Sequence, residues 1–194
     1  MSVCQDGGET LRNRALIGIG LAFLSFAFTA SGGSAADDGV KKPARTVGSK
    51  TGLALPRYVS LKSDKVNVRR GPNTDQPVVW VFSRAGLPVE IFAESENWRR
   101  VRDSDGAEGW VFHSLLSGRR TVLISPWAKD NGQESVKLHD DQSTGSSTVA
   151  ELRSGVIGDV VECDGEWCEL TIDKYSGYVE QGKLWGVYRD EKVE

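Results

Sequence analysis

VNVRRGP (Val66–Pro72) and AGLPVEIFAESENWRRVRDSDGAEGWVFHSLL (Ala85–Leu116) decide the fold of this 194-residue chain. Within them VNV, LPVEIF, WRRVR and GWVF are short runs of β-branched and aromatic residues. Gly, Pro, Asn, Asp or Ser separates one from the next, which is the pattern of short strands joined by tight turns. The same texture continues outward through VVWVF (78–82), VKL (136–138), TVAEL (148–152), GDVVEC (158–163), WCELTI (167–172) and GYVEQ (177–181). No segment beyond residue 57 keeps an amphipathic helical period for three turns, so the expected class is all-β.

The stretch also recurs. Gly86, Trp98, Val101 and Leu115 return as Gly155, Trp167, Leu170 and Leu184 at an offset of 69, and Gly109-Trp110-Val111 returns as Gly177-Tyr178-Val179 at 68. Ordered recurrence on glycine and apolar positions marks an internal repeat. It divides the chain into a first domain over 58–118, a second over 119–188 and a short tail over 189–194. A unit of about 60 residues is at the low end of what folds alone, so packing between the copies is expected.

Upstream the character changes. Arg12 and Arg14 precede the uncharged run Ala15–Ala30, and small residues follow before Asp37 and Asp38. The run is shorter than the roughly 20 residues that span a bilayer. Residues 1–36 therefore read as a secretion signal cleaved after Ala35 or Ala36, with an uncleaved membrane anchor as the other reading. Residues 37–57, rich in Gly, Ser, Pro, Ala and Lys, read as a flexible linker. The expected location is periplasmic or secreted.

Without the signal only Cys163 and Cys168 remain of three cysteines. Cys-Asp-Gly-Glu-Trp-Cys brackets a Gly-containing turn, so in an exported chain a cross-hairpin disulfide is the simplest expectation. The alternatives are a zinc site using His113 and His139, which lack finger spacing, and a redox pair, which lacks the two-residue spacing.

VNVR-x-GP, a Trp before a Val-containing strand and GWV before a closing leucine resemble the bacterial SH3-like domain, often called SH3b. The first copy carries all three parts; in the second, VKLHDD (136–141) stands for VNVRRG and GYV for GWV. The resemblance implies two tandem five-stranded, partly open barrels that act as binding modules, commonly in cell-wall or envelope proteins.

Charge sharpens the comparison of the copies. Residues 58–120 hold ten basic and eight acidic side chains, whereas residues 121–194 hold seven and fifteen. Opposite signs could draw the copies together. Alternatively Arg69, Arg70, Arg99, Arg100, Arg102, Arg119 and Arg120 could form a basic face for an anionic envelope ligand. For Asn67 and Arg69, loop pinning competes with ligand contact. Trp98 and Trp167 share a repeat position and read as packing residues. Trp80, Phe112, Trp127 and Trp185 have no aromatic counterpart and are candidates for a ligand face or for the interface between copies. The ligand-binding candidates are thus Arg69, Arg70, Trp80, Phe112 and Trp127.

No G-x-S-x-G, H-E-x-x-H, P-loop or dinucleotide fingerprint is present. The expected function is non-catalytic binding of cell-wall peptide, or recruitment of an envelope protein; a hydrolase built on His113 or His139 is the reading from the enzyme class. Net charge of −3 and the acidic second half argue against nucleic acid. The sequence assigns no cofactor and no oligomeric state, and a membrane enters only through an uncleaved signal.

Overall fold

The strand-like runs of the first copy become β3 (Arg57–Leu61), β4 (Val66–Arg69), β5 (Val78–Phe82), β6 (Pro88–Ser95), β7 (Trp98–Arg102), β8 (Glu108–Phe112) and β9 (Leu116–Ser117). They follow β1 (Thr46–Val47) and β2 (Ala54–Leu55). The second copy supplies β10 (Thr121–Ile124), β11 (Ser135–His139), β12 (Thr148–Arg153), β13 (Ile157–Cys163), β14 (Trp167–Ile172), β15 (Tyr175–Glu180) and β16 (Leu184–Trp185). This computed structural model describes residues 45–131 and 135–194; the expected signal segment lies outside them. Among the described residues no helix is long and apolar enough to cross a membrane.

Each copy is one antiparallel sheet, ordered β5-β4-β8-β7-β6-β3-β9 in the first and β12-β11-β15-β14-β13-β10-β16 in the second. The two orders are the same once strands are matched in sequence. β3 and β4 lie four places apart in their sheet, yet Leu61, Val66, Val68, Val89, Val101 and Val111 share one core. The sheet must therefore curl over itself, as a partly open barrel does. Seven strands replace the expected five because the opening strands β3 and β10 and the two-residue closing strands β9 and β16 lie outside the runs that read as strands.

Pairing also corrects the repeat alignment. Leu116 and Leu184 both close their copies, opposite Leu61 and Ile124, so Leu184 answers Leu116 rather than Leu115. Arg69 pairs with Trp110 as His139 pairs with Tyr178, which makes His139 the counterpart of Arg69. Between β10 and β11 the second copy inserts a 3₁₀ segment, Pro126–Asn131, absent from the first. The GWV and GYV motifs owe their glycine to close approach. A Cβ on Gly109 would collide with the Val68 side chain, and one on Gly177 with the His139 carbonyl.

One expectation of irregular chain is overturned. Residues 37–57 were expected as a linker, but β1 and β2 form a hairpin inside that span and Leu55 joins the first core. The hairpin is held by Glu94, whose side chain is fully buried and accepts hydrogen bonds from the Lys50 and Thr51 N–H groups (both 3.1 Å), Thr51 Oγ1 (2.7 Å) and Arg57 Nη2 (3.0 Å). The tail is ordered too, because Val193 exchanges backbone hydrogen bonds with Cys163 (2.9 and 3.0 Å) and Gln181 Nε2 donates to the Tyr188 and Glu191 carbonyls.

Cys163 and Cys168 are directly opposite one another on β13 and β14 and are joined by a disulfide. The loop it closes is short, so the chain-entropy argument gives only about 2 kcal/mol of stabilisation. A Cys163→Ala, Cys168→Ala variant is expected to unfold at about 2 kcal/mol lower stability and to lose hydrogen-exchange protection at the Val193 N–H. Unchanged protection there would show that the tail does not depend on the cross-link.

Both copies fall in a single compact unit. Tyr58 meets Trp185 edge-on (5.2 Å between centroids) and Tyr188 (4.7 Å), and the Tyr188 hydroxyl donates to Glu90 Oε1 (2.9 Å). Thr121 Oγ1 donates to the Gly86 carbonyl (2.7 Å), and Arg84 Nη1 donates to the Gly155 carbonyl (3.0 Å). Trp185 thus belongs to the junction between copies. An aromatic cluster with a buried carboxylate joins them, rather than opposed net charge alone.

Candidate functional site

The seven arginines grouped as one basic face do not form one. Arg99 is buried against Glu94 (3.6 Å), Arg100 pairs with Glu108 (3.0 Å), Arg102 with Glu90 (2.9 Å), Arg119 with Asp159 and Arg120 with Glu191 (3.1 Å). Alternation along β7 puts its arginines beside carboxylates of neighbouring strands, a pairing that sequence spacing does not reveal. Arg69 and Arg70 are the two that these carboxylate pairs leave out.

Arg69 ends β4, and its Nη1 donates to the Thr74 carbonyl (2.8 Å) and the Gln76 carbonyl (2.6 Å). Asn73 Oδ1 accepts from the Asp75 and Gln76 N–H groups (both 3.0 Å), so the RGPNTDQP loop is pinned from both ends. Both Arg69 bonds use Nη1, which leaves Nη2 and Nε to complement an anion. Arg70 lies exposed on the same loop.

Beside this loop is a groove of about 250 Å³ lined by Asn67, Arg69, Thr74, Trp98, Phe112 and Leu115. Its floor is aromatic: Trp98 on β7 and Phe112 on β8 are paired residues and meet edge-on at 5.4 Å. Trp98 is buried, as a packing residue should be, yet it also lines the groove. Of the five sequence candidates the structure brings together Arg69 and Phe112, with Arg70 on the adjoining loop. Trp80 instead packs on Phe82 (6.0 Å) and lines a second groove, of about 390 Å³, at the junction with Leu123. Trp127 stands on the 3₁₀ insertion, 60% exposed.

The profile of the Bacterial SH3 domain matches residues 62–118 and again 133–186, together more than half of the chain. The chain belongs to the bacterial SH3 domain family. No curated protein matches. Solved structures similar to it include NlpC2 from Trichomonas vaginalis (12% identity, 67% of this chain, 48% of that one, TM-score 0.30). Others are NlpC1 from Trichomonas vaginalis (12%, 71% and 48%, TM-score 0.30) and an NlpC/P60 family protein from Bacillus cereus ATCC 10987 (9%, 71% and 58%, TM-score 0.28). The chain spans about half the length of these structures.

The second SH3 domain does not repeat the groove. His139 replaces Arg69, packs edge-on to Trp167 (5.7 Å) and sits 3.5 Å from Ser146 Oγ, and Glu180 stands where Phe112 does in the first. The surroundings are acidic: Glu169, partial burial, Glu162 and Asp141 push the Tyr178 phenol up from its ordinary value. The two SH3 domains therefore present chemically opposite faces at equivalent positions. His113 packs against Phe112 with the rings tilted, 5.0 Å between centroids, in the first domain and His139 is buried in the second, so the two candidates of the hydrolase reading lie in different domains. Among the described residues no cluster of three His, Cys, Asp or Glu side chains is placed to hold a metal ion.

Proposed function

We propose that this protein is a non-catalytic, exported binding module whose first SH3 domain recognises a peptidoglycan peptide or a related envelope component. The observation that carries the reading is the groove in which Arg69 stands beside the Trp98–Phe112 floor. A guanidinium next to an aromatic pair suits an extended peptide with a carboxylate, because arginine engages carboxylates through paired N–H donors and the rings cover the apolar stem. His139 and Glu180 at the equivalent places of the second domain support giving this role to the first.

Co-sedimentation with purified peptidoglycan at two salt concentrations tests it. Binding is expected to weaken as salt rises, and Phe112→Ala is expected to raise the dissociation constant about tenfold, the scale of a groove contact. Arg69→Ala is a poorer probe because it also frees the loop. No sedimentation of the unaltered protein at low salt would rule out the wall ligand.

The acidic second domain supports another reading, a module that recruits or regulates a basic envelope protein. It predicts capture of a protein from envelope extract that is lost in salt, with no retention on peptidoglycan.

A further inference from the structure

One end of the sheet is closed differently in the two SH3 domains, and strand register matches the residues there. Leu61 and Ile124 face the closing leucines, so four residues back Arg57 answers Arg120. Arg57 stands opposite Ile91, and the Arg120 carbonyl accepts from the Val160 N–H (3.1 Å), the same place in the second sheet. Glu94 opposite Arg99 answers Cys163 opposite Cys168, and His113 opens a 3₁₀ turn as Gln181 does.

In the second domain the chain's own tail fills this end. Arg120 Nη1 and Nη2 donate to the two Glu191 oxygens (3.2 and 3.1 Å), and Gln181 Nε2 donates to the Tyr188 and Glu191 carbonyls (2.6 and 2.9 Å). Val187 is buried in the core and Val193 packs against it. The charge balances, because one guanidinium meets one carboxylate beside a neutral disulfide.

The first domain has no such tail, since its chain runs on from Gly118 into β10. The 46–55 hairpin covers one side, and a pocket of about 380 Å³ remains, with Leu53, Arg57, Val59, Arg99, His113 and Leu116 among its lining residues. It shares none of them with the groove at Asn67 and Arg69. Here two guanidiniums, Arg57 (3.0 Å) and Arg99 (3.6 Å), share the single carboxylate of Glu94, which leaves one positive charge in excess. Arg99 is only 7% exposed; its Nη1 donates to the Glu96 and Trp98 carbonyls (both 2.8 Å), and its Nη2 has no hydrogen bond among the described residues. A buried cation with spare donors calls for an anion, and the surrounding leucine and valine side chains call for an apolar group beside it.

We propose that this pocket receives an extended partner peptide that brings a carboxylate and, close by, an apolar side chain, as the tail does in the second domain. The carboxylate meets Arg57 and Arg99, the apolar side chain lies against Leu53 and Leu116, and His113 donates to a peptide carbonyl in the manner of Gln181. The site is independent of the groove assigned to the wall ligand.

An NMR titration of the purified protein with acetyl-Glu-Lys-Val-amide, which copies residues 191–193, tests this. Expected is saturable binding with a dissociation constant of about 1 mM or tighter, at least tenfold tighter than that of the Gln-Lys-Val peptide or of hexanoate, which has the charge and an apolar chain but no peptide backbone. Leu53→Glu puts a negative charge at the rim on a side chain that is 53% exposed, so it should leave the thermal midpoint unchanged and weaken binding about tenfold. Asn67→Ala, in the other groove, should leave binding as it was. Absence of saturable shifts up to about 10 mM peptide overturns the proposal. So does equal binding of the Gln peptide or of hexanoate, binding that survives Leu53→Glu, or binding that Asn67→Ala weakens as much.

Discussion

Tyr188→Ala is expected to uncouple the two SH3 domains and to cost about 4 kcal/mol, the usual range for deleting a buried aromatic side chain. Tyr188 packs at 4.7 Å on Tyr58, which in turn meets Trp185, so removal of one ring opens a cavity in the centre of the domain junction. It also deprives the buried Glu90 of its hydroxyl donor, leaving Arg102 as partner. Calorimetry of the unaltered protein should show one cooperative transition. In the variant the midpoint should fall by about 10 °C and the transition should broaden or split, because each domain then melts on its own core.

Tyr188→Phe isolates the hydroxyl and should cost about 2 kcal/mol, as for a hydrogen bond to a charged group. Burial first, and then the Glu90 carboxylate, push the Tyr188 phenol well above its ordinary value; Tyr58 is raised by the same two causes. Both phenols therefore stay neutral in the folded protein when the unfolded chain begins to ionise. The junction is at full strength below the ordinary tyrosine pKa of about 10 and weakens as pH rises beyond it. A wild-type midpoint in Tyr188→Ala would mean that the domains are held by their other contacts alone.

Glu94→Ala is expected to release the 46–55 hairpin and to lower stability by about 3 kcal/mol. The change leaves Arg57 and Arg99 without their carboxylate in a buried setting, which is the costly way to break an ion pair. Trypsin should then cut after Lys50, and the Gly48 N–H, bonded to the Leu53 carbonyl at 2.8 Å, should exchange freely. Burial by itself raises the Glu94 pKa, but donors from Thr51, Arg57 and the Lys50 and Thr51 backbone outweigh it and hold the group at about 2. A depressed carboxylate stabilises fully above its unfolded value of about 4.5 and loses that contribution as pH falls through about 2. The hairpin should accordingly stay docked at pH 4 and open near pH 2. Equal cleavage at Lys50 in variant and unaltered protein would show that Leu55 and not Glu94 anchors it.

The division between what could be read and what could not follows the range of the interactions. Strand texture, the repeat, the Gly109 and Gly177 motifs and the pairing of Cys163 with Cys168 were determined by the sequence itself, because each rests on residues within a few positions or on a periodicity that recurs. The groove was half legible. Arg69 and Phe112 stood out by motif and by lack of a repeat partner, whereas Trp98 was assigned to packing because its equivalence to Trp167 suggested nothing more.

Tertiary structure alone decided the rest. Residues 46–55 look like linker because their anchor, Glu94, lies about 40 positions away and the hairpin has little apolar periodicity of its own. The arginines look like a face until the sheet places Glu90, Glu94 and Glu108 beside them. Tyr58 and Tyr188 are separated by more than the length of a domain and meet only when two curled sheets dock. Nothing in local spacing encodes such long-range neighbours, which is why motif and repeat identified the modules and only packing identified how they are joined.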